Sequence, residues 1–181
     1  MITLPKFKNI KLSEQAFTHR SYLNETREKL HSNERLEFLG DSILSFVVSN
    51  HLFKMFPDFD EGTLTNLRSL LVNTKNLSKV AAKLDFGTKL KLSKGEEESK
   101  GRSNPSLLAD SLEAFIGALY LDQDFEEVSN FIENVLLSNV YELVQKKTLK
   151  DPKSLLQEEV QANKQNSPIY RVIKEIGPAH K

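Results

Sequence analysis

Asn33-Glu34-Arg35-Leu36-Glu37-Phe38-Leu39-Gly40-Asp41-Ser42-Ile43-Leu44 is the stretch that decides how this chain is read. On a helix turning about 100° per residue, Leu36, Leu39, Ile43 and Val47 form one stripe that must face a core. Glu34, Glu37 and Asp41 fall within roughly 60° of one another on the same wheel, on the side where Leu44 and Val48 continue that stripe. Like charges at this spacing cost a helix a few tenths of a kcal/mol per pair, and more at the margin of a core unless a cation compensates. Arg35 points to another side of the wheel and cannot neutralise all three.

A second acidic helix lies downstream, Leu107-Leu108-Ala109-Asp110-Ser111-Leu112-Glu113-Ala114-Phe115-Ile116-Gly117-Ala118-Leu119-Tyr120. It is apolar or small nearly all round, as a central buried helix should be. Asp110 and Glu113 are its only charges and share one face at i, i+3. Buried carboxylates without partners either take up protons or hold a metal. If the two helices pack side by side, four or five carboxylates converge. Oxygen-only ligation favours a hard ion, Mg²⁺ or Mn²⁺, the usual apparatus of phosphoryl transfer.

Around these motifs, residues from about 13 to 149 read as helix after helix, because apolar positions recur at helical spacing and none alternates cleanly. Breaks are expected at Pro57–Gly62, at Leu84–Gly87 and in a charged loop, Lys94–Pro105. The texture changes near Gln145–Pro152, a basic stretch ending in Asp-Pro. A short amphipathic helix from Lys153 to about Asn163 and a strand over Ile169–Ile176 follow. A helix and one strand cannot bury a core of their own. Of 181 residues, 39% are hydrophobic and 28% charged, which suits a packed chain and excludes wholesale disorder. Twenty-five basic and 25 acidic side chains cancel, so no overall positive field advertises nucleic acid. The absence of cysteine excludes disulfides, thiolate zinc and cysteine nucleophiles. No apolar run suits a membrane span or a signal peptide, and a cytoplasmic location is expected.

At these residues the chain resembles the ribonuclease III family, double-stranded-RNA endonucleases. Asn33–Asp41 is similar to the family's signature. Thr18-His19-Arg20-Ser21-Tyr22, Phe56-Pro57 through Glu61–Thr65, Leu71-Val72-Asn73 and Leu108–Ala114 follow in the family's order and spacing. The resemblance implies an all-α nuclease domain over residues 1–146 and a linker at 147–152. Residues 153–181 would be the first helix and strand of an α+β double-stranded-RNA-binding domain.

By the same resemblance, Glu37, Asp41, Asp110 and Glu113 are the metal-binding catalytic carboxylates, and Glu34 and Glu61 are accessory acids of the same valley. The implied cofactor is Mg²⁺, with Mn²⁺ as a substitute. Metal-activated water would cleave double-stranded RNA to staggered ends with 5′-phosphate and 3′-hydroxyl, in RNA processing. The implied partners are duplex RNA and a second copy of the chain. Phe38, a large aromatic outside the core stripe, would pack in the partner's socket. Ser154, Gln157, Glu158 and His180 match groove-facing positions of the RNA-binding domain. The alternative is a non-catalytic RNA-binding scaffold on the same fold. His19 is read as supporting the fold. Lys94, Lys100 and Arg102 suit phosphate contact and an ordinary exposed loop about equally.

Overall fold

The computed structural model describes residues 4–138, 140–145, 160–163 and 168–171. Ser154, Gln157, Glu158 and His180 lie outside them, as do the linker and most of the expected C-terminal helix and strand. Residues 160–162 are helical, and residues 168–171 carry no regular element.

Helices dominate the described residues, in the order α1 (Ile10–Ala16), a 3-10 turn (Arg20–Asn24), α2 (Glu34–Met55), α3 (Glu61–Val72), α4 (Thr74–Lys83), α5 (Phe86–Lys89), α6 (Lys94–Glu98), α7 (Pro105–Asp122), α8 (Phe125–Ile132) and α9 (Val140–Gln145). Extended pairing is confined, among these residues, to a single bridge between Thr18 and Lys91. Helix starts fall where short polar side chains can accept an orphan amide. Asp60 accepts from Thr63 N, Asn73 from Asn76 N, Asn104 from Ser106 N and Asp124 from Glu127 N. Pro105, which has no amide to satisfy, stands at the first turn of α7. Glu133–Leu137, after α8, widens into a π turn.

α7 is the central helix. Leu108, Ala109, Leu112, Ala114 to Leu119 and Ser111 are all buried, and α1, α2, α4 and α8 pack around it. Phe115 is the hub of an aromatic cluster, its ring within 5.2 Å of Phe7, Phe86 and Phe131 and 6.0 Å of Phe17. From α2 come Leu36, Ile43, Leu44, Val47 and Val48, the stripe expected from the sequence, while Leu39 is only half-buried.

The α2–α7 crossing is unusually close, and two glycines permit it. A Cβ on Gly40 would sit 1.7 Å from the Glu113 carbonyl oxygen, and one on Gly117 would sit 2.2 Å from that of Leu36. Backbone therefore meets backbone at the turns that carry the acidic residues. A lone glycine inside a helical pattern costs about 1 kcal/mol relative to alanine, so a packing reason was to be sought.

The stretch Lys94–Pro105 differs from the expected irregular loop. It holds α6 and a 3-10 turn, Gly101–Ser103. Ser93 caps α6 by accepting from Glu96 N. Arg102 Nη1 donates to the carbonyls of Gly87, Thr88 and Leu90, and its other nitrogen pairs with Glu97. That guanidinium is committed to holding the segment onto α5, so of the two readings of Arg102 the structural one prevails.

Candidate active site

The close crossing places the inner acids of α2 against those of α7. Carboxylate oxygens of Glu37, Asp110 and Glu113 all lie within 4.8 Å of one another, and each side chain is half-buried. Asp41 stands one turn further along α2 on the exposed rim, outside this triad. Its charge nevertheless acts on both Glu37 and Glu113.

Electrostatics follow from that convergence. Burial first, then the negative charges of Asp41, Asp110 and Glu37, push the Glu113 carboxyl up to about 8. Glu37 is raised by burial, then by Asp110, Glu34 and Asp41. Burial also raises Asp110, while the His19 ring works in the opposite direction. Among the described residues, no cationic side chain pairs with Glu37, Asp41, Asp110 or Glu113. Three acids sharing one site with no cation form an arrangement that disfavours full ionisation.

Glu34 is different. Arg20 Nη1 lies 3.2 Å from its carboxylate and Ser32 Oγ donates to it at 2.8 Å. The compensating cation for the acidic face thus comes from the 3-10 turn and reaches only the outermost acid. Glu61 is not brought to the triad within the chain. It stands at the start of α3, where Thr65 Oγ1 donates to it at 3.0 Å. Asp41 and the end of α2 are separated by about 20 Å of helix.

Phe38 is 78% exposed, and Phe53, on the same side of α2, is 70% exposed. The expectation that Phe38 stands outside the chain's own core is met. Near the far end of α2 a cavity of about 340 Å³ is lined by Ser49, Leu52, Phe53, Phe59, Glu61, Leu64, Thr65 and Arg68.

Three residues of the site were not singled out from the sequence as shaping it. Gly40 and Gly117 set the helix separation; their signal was a glycine interrupting each apolar helix. His19 was read as a fold residue, and it does cap the 3-10 turn, its Nδ1 accepting from Ser21 N at 3.3 Å. Its electrostatic reach to Asp110 has no signature in spacing, since 91 positions separate the two.

Comparison with known proteins gives a consistent picture. Residues 9–140 match the family model described as Ribonuclease-III-like. The protein named Ribonuclease 3 of Geobacillus kaustophilus is 49% identical over 175 residues, covering 96% of this chain and 71% of that protein. The Borreliella burgdorferi protein of that name is 42% identical over 174 residues, again with 96% and 71% coverage. Among solved structures, the nuclease domain of ribonuclease III from Campylobacter jejuni superposes with a TM-score of 0.64 at 41% identity, over 71% of this chain and 87% of that one. A second structure of that nuclease domain, with a TM-score of 0.65 at 41% identity over 72% of this chain and 90% of that one, is described as showing structural flexibility in a region involved in dimer formation. Dicer from Pichia stipitis aligns with 99% of this chain and 80% of its own at 28% identity, with a TM-score of 0.60. With its signature residues on two crossing helices and such relatives over nearly its whole length, the chain belongs to the ribonuclease III family.

Proposed function

We propose that the chain is an endoribonuclease that hydrolyses double-stranded RNA at the Glu37, Asp41, Asp110 and Glu113 cluster, with Mg²⁺ as its cofactor and as a homodimer in the cytoplasm. One observation carries the reading: three half-buried carboxylates, oxygens within 4.8 Å, with no cationic side chain among the described residues to neutralise them. That donor set is all oxygen and strongly anionic, which suits a hard divalent cation. Such a cation, when bound, supplies an acidified water and neutralises charge on the phosphate undergoing attack.

The chain's own part is placement. The Gly40–Gly117 contact holds two rigid helices at a fixed separation, so the acids keep their spacing without a loop having to order. Glu37, Asp110 and Glu113 form the inner ligand set, and Asp41 adds negative charge at the open rim, toward arriving RNA. No serine–histidine pair is required, in keeping with a hydrolysis that uses water as nucleophile.

The dimer follows from α2. Phe38 is a hydrophobic projection, and the Phe53–Phe59 cavity is a concave apolar surface beyond its own reach. In a two-fold pair each Phe38 would enter the other subunit's cavity. Glu61 lines that cavity, so the same docking would carry it to the neighbouring acidic cluster.

The test is cleavage of a plain RNA duplex by the purified protein. Wild type should cut only with Mg²⁺ or Mn²⁺ present, and Glu113→Gln should bind the duplex but not cut it. Cutting by the variant at the wild-type rate in millimolar Mg²⁺ would remove the role assigned to this cluster. Binding without any cutting by the wild type would leave the non-catalytic scaffold as the better reading.

A further inference from the structure

On α7, Phe115 lies about 200° around the helix from Glu113, and on that side it borders a cavity of about 570 Å³. The rings of Phe7, Phe17 and Phe115 line it together. Phe17 and Phe115 are buried and form its floor, with the Phe115 ring 5.2 Å from Phe7 and 6.0 Å from Phe17. Leu4 and Ile10 add to the apolar lining, and Ile10 is 65% exposed. Clefts of roughly 300–1,000 Å³ with apolar walls and a few polar groups are the usual form of small-molecule sites.

Main-chain hydrogen bonds pin the segments that make this lining. Lys8 N and Asn9 N donate to the two carboxylate oxygens of Asp122, each at 2.7 Å, and Gln123 Nε2 donates to Lys6 O at 3.1 Å. Lys91 N donates to Phe17 O at 2.8 Å, and Lys91 O accepts from His19 N at 3.1 Å. The cavity is therefore formed in advance, and an occupant does not have to order it.

Charge around it is one-sided. Lys6, Lys89, Lys91 and Glu14 also belong to the lining. Lys91 Nζ lies 3.7 Å from the Glu14 carboxylate, so these two offset each other. Lys6 and Lys89 are exposed and take no part in the ion pairs among the described residues. Two ammonium groups thus stand beside an aromatic floor, and the lining holds no further acid to meet them.

We propose that this cavity binds a small amphiphilic carboxylate of the medium-chain fatty-acid class, its chain against Phe7, Phe17 and Phe115 and its carboxylate at Lys6 and Lys89. A bare phosphate would leave the aromatic floor uncovered, and a neutral hydrocarbon would leave the two ammonium groups unused. The site is independent of the metal reading, because none of its lining residues belongs to the acidic cluster.

Decanoate is the probe, with decan-1-ol as its neutral match. Each would be titrated by calorimetry into the full-length protein, below micellar concentrations and in EDTA, so that no metal offers the carboxylate a second site. Wild type should bind decanoate saturably and decan-1-ol more weakly. Lys6→Gln combined with Lys89→Gln should weaken decanoate roughly 5-fold, the scale of two solvent-exposed ion pairs, and leave decan-1-ol unchanged. Ser13→Trp places an indole in the cavity from α1, where Ser13 lines it; it should abolish binding of both probes with helical circular dichroism intact. Absence of saturable decanoate binding to the wild type would overturn the proposal. Full decanoate affinity in Ser13→Trp would overturn it too, by moving the binding to another surface such as the exposed aromatic face of α2. Unchanged decanoate affinity in the lysine double variant would overturn the placement of the carboxylate.

Discussion

Removing divalent metal and raising the pH should weaken the folded state, and Glu113 sets the window. In the unfolded chain its carboxyl titrates near 4.5, whereas in the fold burial and three neighbouring acids raise it to about 8. Below 4.5 both states are protonated and no penalty exists. Between the two values the folded protein retains a proton that the unfolded chain has released, so stability falls as pH rises. Above about 8 both states are ionised and the loss is complete. Converted in full, the shift would correspond to about 5 kcal/mol at 1.36 kcal/mol per pH unit. The carboxylate is partly open to water, and screening reduces this to ~2 kcal/mol. Glu37 and Asp110, both raised, act with the same sign.

Urea unfolding of EDTA-treated protein at pH 5 and pH 8.5 measures the effect, with protein concentration fixed because a dimer's stability depends on it. Glu113→Gln removes the titrating group and most of the repulsion at nearly constant volume. The wild type should lose ~2 kcal/mol more than this variant between the two pH values. Millimolar Mg²⁺ at pH 8.5 should return the wild type, but not the variant, toward its pH 5 stability. Parallel pH profiles for the two proteins would mean that Glu113 is not held above its ordinary range, and the convergence of the acids would be refuted.

Three further outcomes are expected. Gly40→Ala drives a methyl group into the Glu113 carbonyl; overpacking of this kind costs about 3 kcal/mol, and a melting temperature equal to wild type would mean the helices separate freely. Phe38→Glu should give a folded monomer by sedimentation, with its helical circular dichroism intact, since a buried unpaired charge would be introduced twice across a two-fold contact. Deleting residues 151–181 should change duplex affinity only a few-fold and leave cleavage intact, because phosphate contacts dominate affinity and this segment supplies few basic groups; loss of cleavage at saturating RNA would contradict that.

The helices and the inner acids were legible because they rest on periodicity. Asp110 and Glu113 stood out as the only charges of an otherwise apolar helix, and the structure seats that helix at the centre. What could not be read depends on elements meeting in space. Arg102, in a loop, offers its charge equally to phosphate or to carbonyls, and only the fold shows Gly87, Thr88 and Leu90 in its way. The α6 turn is likewise held from outside, through Glu25, whose carboxylate accepts from Lys94 N at 3.0 Å. Glu34 and Glu37 look equivalent on a wheel; Arg20 distinguishes them, and its approach is a tertiary event. Four residues matched to the RNA-binding module fall outside the described residues, so that part of the reading stands on sequence similarity alone.

α2 has to satisfy three neighbours at once, and its sequence divides accordingly. Leu36, Ile43 and Val47 go to the core, Glu37 and Asp41 occupy one flank, and Phe38 lies beyond Asp41 on the outer face. Phe38 lies about 100° from Glu37 and about 60° from Asp41 on the wheel. If the subunits pair through Phe38, as proposed above, an aromatic group this near the acidic edge ties dimerisation to the site. Whatever surface receives Phe38 must also come to rest beside Glu37 and Asp41. The cavity lined by Phe53 and Phe59 has Glu61, the first residue of α3, in its wall, and that acid is not grouped with the triad of its own subunit. Pairing through Phe38 would therefore complete the acidic valley with a group that folding alone leaves outside the Glu37, Asp110 and Glu113 triad. A monomer would keep Glu37, Asp110 and Glu113, with their raised proton affinity, and Asp41 beside them, but would lack Glu61. In the Phe38→Glu protein, metal binding and paired cleavage should consequently separate, the first surviving and the second lost.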